Sequence, residues 1–325
     1  MHPVLKTSIQ RLALGLVTLW VVSLIVYGMI ELLPGNFAQA VLGQSATPEV
    51  VANFEKRAGL DKPLLERYAV WLTGAVQGEF GVTFSSLTNT GGQARSVASV
   101  ITPRLENTLF LAVAVAVVAV PLALILGLLA ALYRNSIFDR VVNAATLTSI
   151  SFPEFFVGYI LMLFLAVQNP WFYSMATVDS TTPFWEQVQR IGLPVIALVL
   201  VIVAHMMRMT RAAIINLLAS PYIEMARLKG MPPSRVIWHH ALPNAWAPIS
   251  TVIALNLAYL VVGVVVIEVV FAYPGIGQLM VTAVQSRDIP VVQACAIIFA
   301  AVYILMNLAA DIVAIATNPR LLHPR

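Results

Sequence analysis

Six apolar runs dominate the chain, at residues 12–33, 109–133, 141–167, 191–209, 247–271 and 291–317. Each has about the 20 residues that a helix needs to cross a hydrocarbon core. Inside such a core every backbone polar group needs a partner, and a helix supplies the partners within itself. The runs therefore predict an all-α integral membrane protein with six transmembrane helices. Length alone, 325 residues, would suit one large or two ordinary soluble domains. Composition excludes that: 10% of residues are charged and 59% hydrophobic, where an average soluble domain is about 25% charged. The first run is too long for a signal-peptide core and lacks a small-residue cleavage site, so it reads as a retained span. Cys295 is the single cysteine, which rules out an internal disulfide.

Charge orients the spans. An even number of crossings puts both termini on one side. Lys6 and Arg11 lie before the first run, and Arg134 and Arg140 between the second and third. Arg208, Arg211, Arg227, Lys229 and Arg235 fall between the fourth and fifth, and Arg320 and Arg325 follow the sixth. Only Asp139 and Glu224 offset them there. Residues 36–107, by contrast, balance Lys56, Arg57, Lys62, Arg67, Arg95 and Arg104 against Glu49, Glu55, Asp61, Glu66, Glu79 and Glu106. By the positive-inside rule both termini are cytoplasmic and 36–107 is extracytoplasmic. The same rule accounts for the net charge of +4, so membrane lipid is the expected surrounding and nucleic acid is no partner.

The extracytoplasmic segment is too long for a bare connection. Residues 48–58 and 64–76 have helical spacing, while 78–84 and 88–93 are turn-rich. Leu60, Leu64, Tyr68, Trp71 and Leu72 are expected to pack together as a small cap. A second such loop, 169–190, carries Trp171, Phe172, Tyr173 and Trp185, an interfacial aromatic belt. The chain thus divides into a tail and first span (1–35), a partly helical extracytoplasmic segment (36–107), a five-span core (108–317) and a cytoplasmic tail (318–325).

Between the fourth and fifth spans, residues 210–246 are polar and basic. Glu224, Ala226, Arg227 and Lys229 suit a short amphipathic helix, and Gly230 can take the backbone angles that end it. Met231-Pro232-Pro233-Ser234 stops that helix, and Arg235 to Ala241 reads as a second one. A two-helix knuckle at a membrane surface is a shape that another protein can grip.

That segment resembles the cytoplasmic coupling loop of ABC importer permeases, whose hallmark is Glu-Ala-Ala, three residues, then Gly. Here Glu224, Met225 in place of the first Ala, Ala226 and Gly230 match it. Further segments follow the order found in B-type permeases of dipeptide, oligopeptide and nickel importers. They are Leu33-Pro34-Gly35, Gly59-Leu60-Asp61-Lys62-Pro63, Gly78-Glu79-Phe80-Gly81, Pro103-Arg104-Leu105-Glu106-Asn107-Thr108 and Ser151-Phe152-Pro153. Later come Glu268 through Gly277 (Glu-Val-Val-Phe-Ala-Tyr-Pro-Gly-Ile-Gly), Arg287-Asp288-Ile289-Pro290 and Asn318-Pro319-Arg320. Departures occur at Asn36, where Asp is usual, at Glu224, where Arg is common, and near Glu154, where a small residue is expected. The resemblance implies a type I ABC importer permease fold in a cell inner membrane. It also implies a second, related permease, two ABC ATPase subunits and an extracytoplasmic substrate-binding protein as partners. Glu224, Met225, Ala226, Arg227, Lys229 and Gly230 would couple to the ATPases. Cargo would be peptides or peptide-like solutes, with nickel, haem, opines or sugars as alternatives within the family.

The residues themselves give the chain no chemistry of its own. No Gly-x-x-x-x-Gly-Lys-Ser/Thr phosphate loop is present, so the chain is expected to need no cofactor, and the resemblance implies that ATP and Mg bind partner ATPases. The five histidines (His2, His205, His239, His240, His323) form no metal-ligand spacing, and no nucleophile–base set suggests an enzyme. Ionisable groups in spans are costly and often functional. Glu154 follows Pro153 halfway along the third span, where a kink would let it line the pathway. An ion-coupled carrier using Glu154 and Asp311 is the competing class. Glu31 and Glu268 fall near the outer ends of their spans, where solvation is easy, and a structural role is expected for both. Asp311 is expected to pair with Asn143, Arg208 or a neighbouring helix. The Tyr273-Pro274-Gly275 turn is an outer gate, a docking surface or a plain turn, and Gly15, Gly28, Gly127 and Gly158 are expected at close helix contacts.

Overall fold

The computed structural model describes residues 3–31, 37–88, 94–179, 181–232 and 235–317. The motifs at 33–35 and 318–320, Asn36, His2, His323 and most of the turn at 88–93 lie outside that set. So do the side chains of Glu31, Arg227 and His240.

Helix α1 (Pro3–Glu31) leads into a cap of four short helices, α2 (Phe37–Leu42), α3 (Pro48–Ala58), α4 (Leu64–Val76) and α5 (Phe84–Leu87). Then come α6 (Val97–Leu132), α7 (Ile137–Ser151), α8 (Glu154–Met162) with a π-helical end Leu163–Gln168, and α9 (Phe184–Arg190). The remainder is α10 (Gly192–Leu218), α11 (Pro221–Leu228), a π-helical segment Val236–Ala241, α12 (Leu242–Val270), α13 (Ile276–Gln285) and α14 (Ile289–Thr317). An isolated bridge between Val82 and Ser96 is the only β pairing among the described residues.

Among the described residues four helices are long and apolar enough to cross a membrane, at Ser8–Gly28, Val97–Leu132, Gly192–Leu218 and Ile289–Ala314. Counting each of two bent pairs as one span gives six: Ile137–Ser151 with Glu154–Gln168, and Asn244–Leu260 with Gly263–Val270. The helices outrun the apolar runs that announce them. Helix α6 begins at Val97, not near 109, and α10 continues to Leu218, past 209. Hydropathy marks the hydrocarbon thickness, whereas helical hydrogen bonding continues beyond it. The expected second knuckle helix is also not separate: Val236–Ala241 runs directly into α12.

The third span departs most from expectation. A single kinked helix over 141–167 is replaced by two helices meeting at 102°. Pro153 disfavours helical angles at Phe152, which is extended (φ −100°, ψ 141°), and Pro153 itself is extended as the residue before α8. Two extended residues in succession turn a kink into a corner. Glu154 therefore stands in the first turn of α8, not in mid-helix.

Helix α10 is the axis of the bundle, packed along α6, α12, α7 and α8. Its Leu193, Ala197, Met206 and Met207 are buried with Leu111 and Val115 of α6 and Leu260 and Val264 of α12. Gly127 allows the approach of α6, because a Cβ there would stand 2.9 Å from the Met207 carbonyl oxygen. Gly15 and Gly158 do the same against Ile304 (2.7 Å) and Val270 (3.2 Å). Gly28 does not, having nothing within 4 Å of its Cβ position. Helix α1 packs along α14 and leaves Leu12, Leu14, Leu16, Val17, Trp20 and Ile25 exposed. In a bilayer that face meets lipid tails as apolar as itself.

Two ion pairs fix helices at one end. Arg11 on α1 meets Asp311 on α14 at 3.3 Å, so Asp311 pairs with a neighbouring helix and with neither Asn143 nor Arg208. Arg211 on α10 grips Asp139 at 2.7 and 2.8 Å, and Asn143 donates to the same carboxylate at 2.6 Å.

The cap forms at the other end. Thr47 accepts from Val50 N–H to start α3, Pro48 occupies its first turn, and Gly59 at φ 68° ends it. Val51, Phe54, Phe84 and Leu87 bury one another, with Leu60 alongside. Helix α4 does not join them. Its Tyr68 hydroxyl bonds Ser23 on α1 at 2.7 Å, and Tyr27 packs on Tyr68 and Trp71 with ring centres 5.4 and 5.5 Å apart. The single expected cluster is thus split between cap core and first span, with Leu64 left exposed. In the second loop, Arg190 lies 5.6 Å over the Tyr173 ring, and Trp171 and Trp185 are exposed. Asp179 there accepts from the Thr181 hydroxyl and N–H, which hold its carboxyl below the usual range.

Candidate functional site

Two clusters stand at opposite ends of the bundle, a polar lock beneath the cap and the knuckle after α10. The lock is built from motifs far apart in sequence. Glu268, in the last turn of α12, is fully buried. Thr108 of α6 donates its hydroxyl to Oε1 at 2.6 Å, and the N–H groups of Gly277 and Gln278 donate to Oε2 at 2.8 and 3.1 Å. Those two N–H groups belong to the first turn of α13, where unpaired donors and the helix dipole favour an anion. Thr108 in turn accepts from Ile276 N–H at 2.9 Å. A carboxylate expected near solvent is instead enclosed and fully bonded.

The turn between α12 and α13 is held by the same group. Tyr273 is buried and donates its hydroxyl to the Asn107 carbonyl at 2.8 Å. Asn107 returns a bond from Nδ2 to the Pro274 carbonyl at 2.9 Å, and Arg104 donates to Gln278 at 3.0 Å. Gly275 has no alternative: a Cβ there would lie 2.0 Å from Glu268 Oε1. At Gly277 a Cβ would come within 2.7 Å of the Val265 Cα. Ala272 takes a left-handed angle, φ 50°, to bring the chain round. Tyr273 and Gly275 are buried and Pro274 half-buried, so this turn offers little surface for docking. A companion carboxylate ties down the cap. Asp288 accepts from Phe84 N–H, Ser85 N–H and the Ser85 hydroxyl at 2.9, 3.0 and 2.7 Å.

Sequence reading gave Glu268 a structural role but placed it near solvent, and gave Asp288 no separate role. Their signal was present: an acid nine residues before Gly277 in an apolar run, and an Asp just ahead of Pro290. What it could not show is which remote donors arrive. Glu154, the expected pathway acid, is half-buried, and Tyr259 of α12 reaches it only at 3.4 Å.

The knuckle is assembled by local rules. Helix α10 ends at Leu218, and Ser220 accepts from Ile223 N–H and Glu224 N–H at 3.0 and 3.2 Å, starting α11 with Pro221 in its first turn. At the far end Met231 N–H bonds the Ala226 carbonyl at 3.3 Å while Gly230 takes φ 78°. This is a Schellman stop, with Met231 packed in the same small core as Ala226. Ile223, Ala226, Val236 and Ala241 are buried there against Leu217 and Leu218. Thus Ala226 points inward. Glu224, Lys229 and Gly230 are exposed, and Tyr222 (44%), Met225 (55%) and Leu228 (75%) form an uncovered apolar face.

The chain matches two family signatures: "Binding-protein-dependent transport system inner membrane component" over residues 123–323 and the corresponding N-terminal signature over residues 4–112. The glutathione transport system permease protein GsiC of Escherichia coli (strain K12) is 35% identical over 97% of this chain and 98% of its own length. The same-named protein of Shigella dysenteriae serotype 1 (strain Sd197) matches to the same extent. The probable peptide ABC transporter permease protein y4tP of Sinorhizobium fredii (strain NBRC 101917 / NGR234) is 31% identical over 96% and 98%.

Proposed function

The chain belongs to the family of binding-protein-dependent transport system inner membrane components and is an ABC importer permease with a multi-pass place in the inner membrane, and we propose that its α11 knuckle is the coupling site for cytoplasmic ATPases. On this reading the knuckle end and both termini are cytoplasmic, because the basic residues gather there, and the cap is extracytoplasmic. A second, related permease completes the pathway, and an extracytoplasmic binding protein delivers cargo. ATP and Mg act in the partner ATPases, and this chain catalyses nothing itself. The cargo is a peptide or a peptide-like small solute, as the names of its relatives suggest.

One observation carries the coupling role. Helix α11 has a buried side that fixes it to α10 and to the Val236–Ala241 segment leading into α12, and an opposite side whose Tyr222, Met225 and Leu228 have no cover. Exposed apolar groups facing water rather than lipid mark a protein contact. Closure of two ATPases on nucleotide would press on that face. The helix, anchored through its inner side, would pass the displacement to the spans without changing shape. Glu224 and Lys229 flank the apolar face and would set register.

The test is uptake of a labelled dipeptide or glutathione by proteoliposomes holding the chain with its second permease, ATPases and binding protein. Gly230→Pro cannot adopt φ 78° and should abolish ATP-driven uptake. Glu154→Gln should keep at least half of it. The reverse pattern would turn the account toward ion coupling through Glu154.

A further inference from the structure

Helix α4 is apolar and yet buries nothing. Of its 13 residues only Glu66 and Arg67 are charged, and none is buried. Among the described residues no other helix runs closely along it. A helix of that composition in water turns its apolar side to a core. Tyr68 and Trp71 make such a contact, against Tyr27 of α1. Beside them Leu65, Ala69, Leu72 and Val76 recur at helical spacing as a second apolar stripe, which no part of the chain covers. Leu65 is 81% and Val76 82% exposed.

The height of α4 against α1 decides what covers that stripe. The apolar span of α1 ends at Gly28, and Ser23 lies five residues before it, about 8 Å inside at 1.5 Å per residue. The Tyr68 hydroxyl reaches Ser23 at 2.7 Å, and the Tyr68 and Trp71 rings lie against Tyr27, next to the end of the span. Helix α4 is therefore level with the hydrocarbon boundary, where Tyr and Trp collect. At the same height α1 exposes Val21, Leu24 and Ile25, a face that meets lipid. The polar groups on α4 suit that level. Thr73 donates its hydroxyl back to the Ala69 and Val70 carbonyls at 2.9 Å, and Glu66, flanking the stripe, pairs with Lys62 at 3.0 Å. We propose that α4 is an interfacial helix. It lies in the leaflet at the C-terminal end of α1, with Leu65, Ala69, Leu72 and Val76 among the acyl chains just below the headgroups, and it ties the cap to the bilayer surface. A protein partner would need the stripe in open water, which its height beside the span denies. The inference rests on α1 crossing the membrane and on nothing in the coupling account.

Nitroxide labels on the full-length chain in phosphatidylcholine nanodiscs test this directly. The buried Cys295 is first changed to Ala. Single cysteines then replace Leu65, Val76, Glu66 and, as a lipid-facing reference, Leu24. All four side chains are exposed, so each variant should elute and melt as wild type. Power-saturation electron paramagnetic resonance compares collisions with oxygen, which concentrates in lipid, and with a water-soluble nickel chelate. Labels at Leu65→Cys and Val76→Cys should favour oxygen as Leu24→Cys does, by about threefold or more over Glu66→Cys, at a depth of about 5–10 Å. Labels at Leu65→Cys and Val76→Cys as open to the nickel chelate as Glu66→Cys would overturn the proposal. Shielding of those labels on addition of the soluble substrate-binding protein would then mark a protein docking face, and no shielding a face bare to water.

Discussion

The lock and the knuckle use the same device and finish it in opposite ways. Each begins where a helix end exposes backbone donors or acceptors, and each needs a glycine at one critical place. At the lock, a remote carboxylate, Glu268, satisfies the first turn of α13, and the whole arrangement is closed by groups of this chain. At the knuckle, local backbone bonds cap α11, and one side of the helix is left bare. The glycines differ accordingly. Gly275 is needed for space, since Glu268 occupies the Cβ position, whereas Gly230 is needed for its angle, with nothing within 4 Å. A site completed from within can only hold a shape; a site left incomplete asks for a partner. Substitutions at the lock should therefore damage the fold, and those on the knuckle should spare it while damaging the assembly.

The largest effect is expected for Gly275→Ala. A Cβ 2.0 Å from the Glu268 carboxylate has to displace a fully bonded buried group. The cost should approach the upper range of single substitutions, about 4 kcal/mol. Loss of the monodisperse peak in detergent, read by fluorescence-detected gel filtration, would show it, and wild-type behaviour would break the comparison at its stronger end. Glu268→Leu comes next. It strands the N–H groups of Gly277 and Gln278 and the Thr108 hydroxyl, a loss of about 3 kcal/mol if one or two stay unsatisfied. Thr108→Val should lower the melting temperature in the same direction by a smaller step.

Gly230→Ala sits between the two classes. Forcing a side chain into the left-handed region costs about 1 kcal/mol, so folding should survive and ATP-driven uptake should fall several-fold as α11 loses its stop. Met225→Ser with Leu228→Ser sharpens the contrast most. These residues are 55% and 75% exposed, so stability should change by less than about 0.5 kcal/mol. Uptake should nevertheless drop more than tenfold. A large loss of stability here would mean that the face packs within the chain.

How much of this was legible depended on whether the signal was local. Helices α3 and α4 occupy 48–58 and 64–76, the ranges read from sequence, because Thr47-Pro48, Gly59 and Pro63 punctuate them. Helix α11 and its glycine stop were legible for the same reason. Span ends were not, since Val97 to Thr108 and Thr210 to Leu218 are helical but outside the apolar stretch. The 102° corner at Phe152-Pro153 was half legible: proline announced a break, while its size depends on packing against α10 and α12. Glu268 was misjudged because its solvation is decided by α6 and α13. The latter comes back over it only through the turn at Ala272–Gly275. Distance in sequence hid the donors, although Thr108 and Gly277 lay inside segments already singled out.

The central claim is that the bare face of α11 is covered by an ATPase, and co-purification tests it most directly. The tagged chain would be expressed with its second permease and ATPases and isolated in mild detergent, wild type beside Met225→Asp/Leu228→Asp. The account predicts two ATPase subunits with wild type. With the variant, the ATPases should be absent and the permease pair intact at unchanged melting temperature. Full retention of the ATPases by the variant would contradict it and move the coupling site elsewhere on the chain.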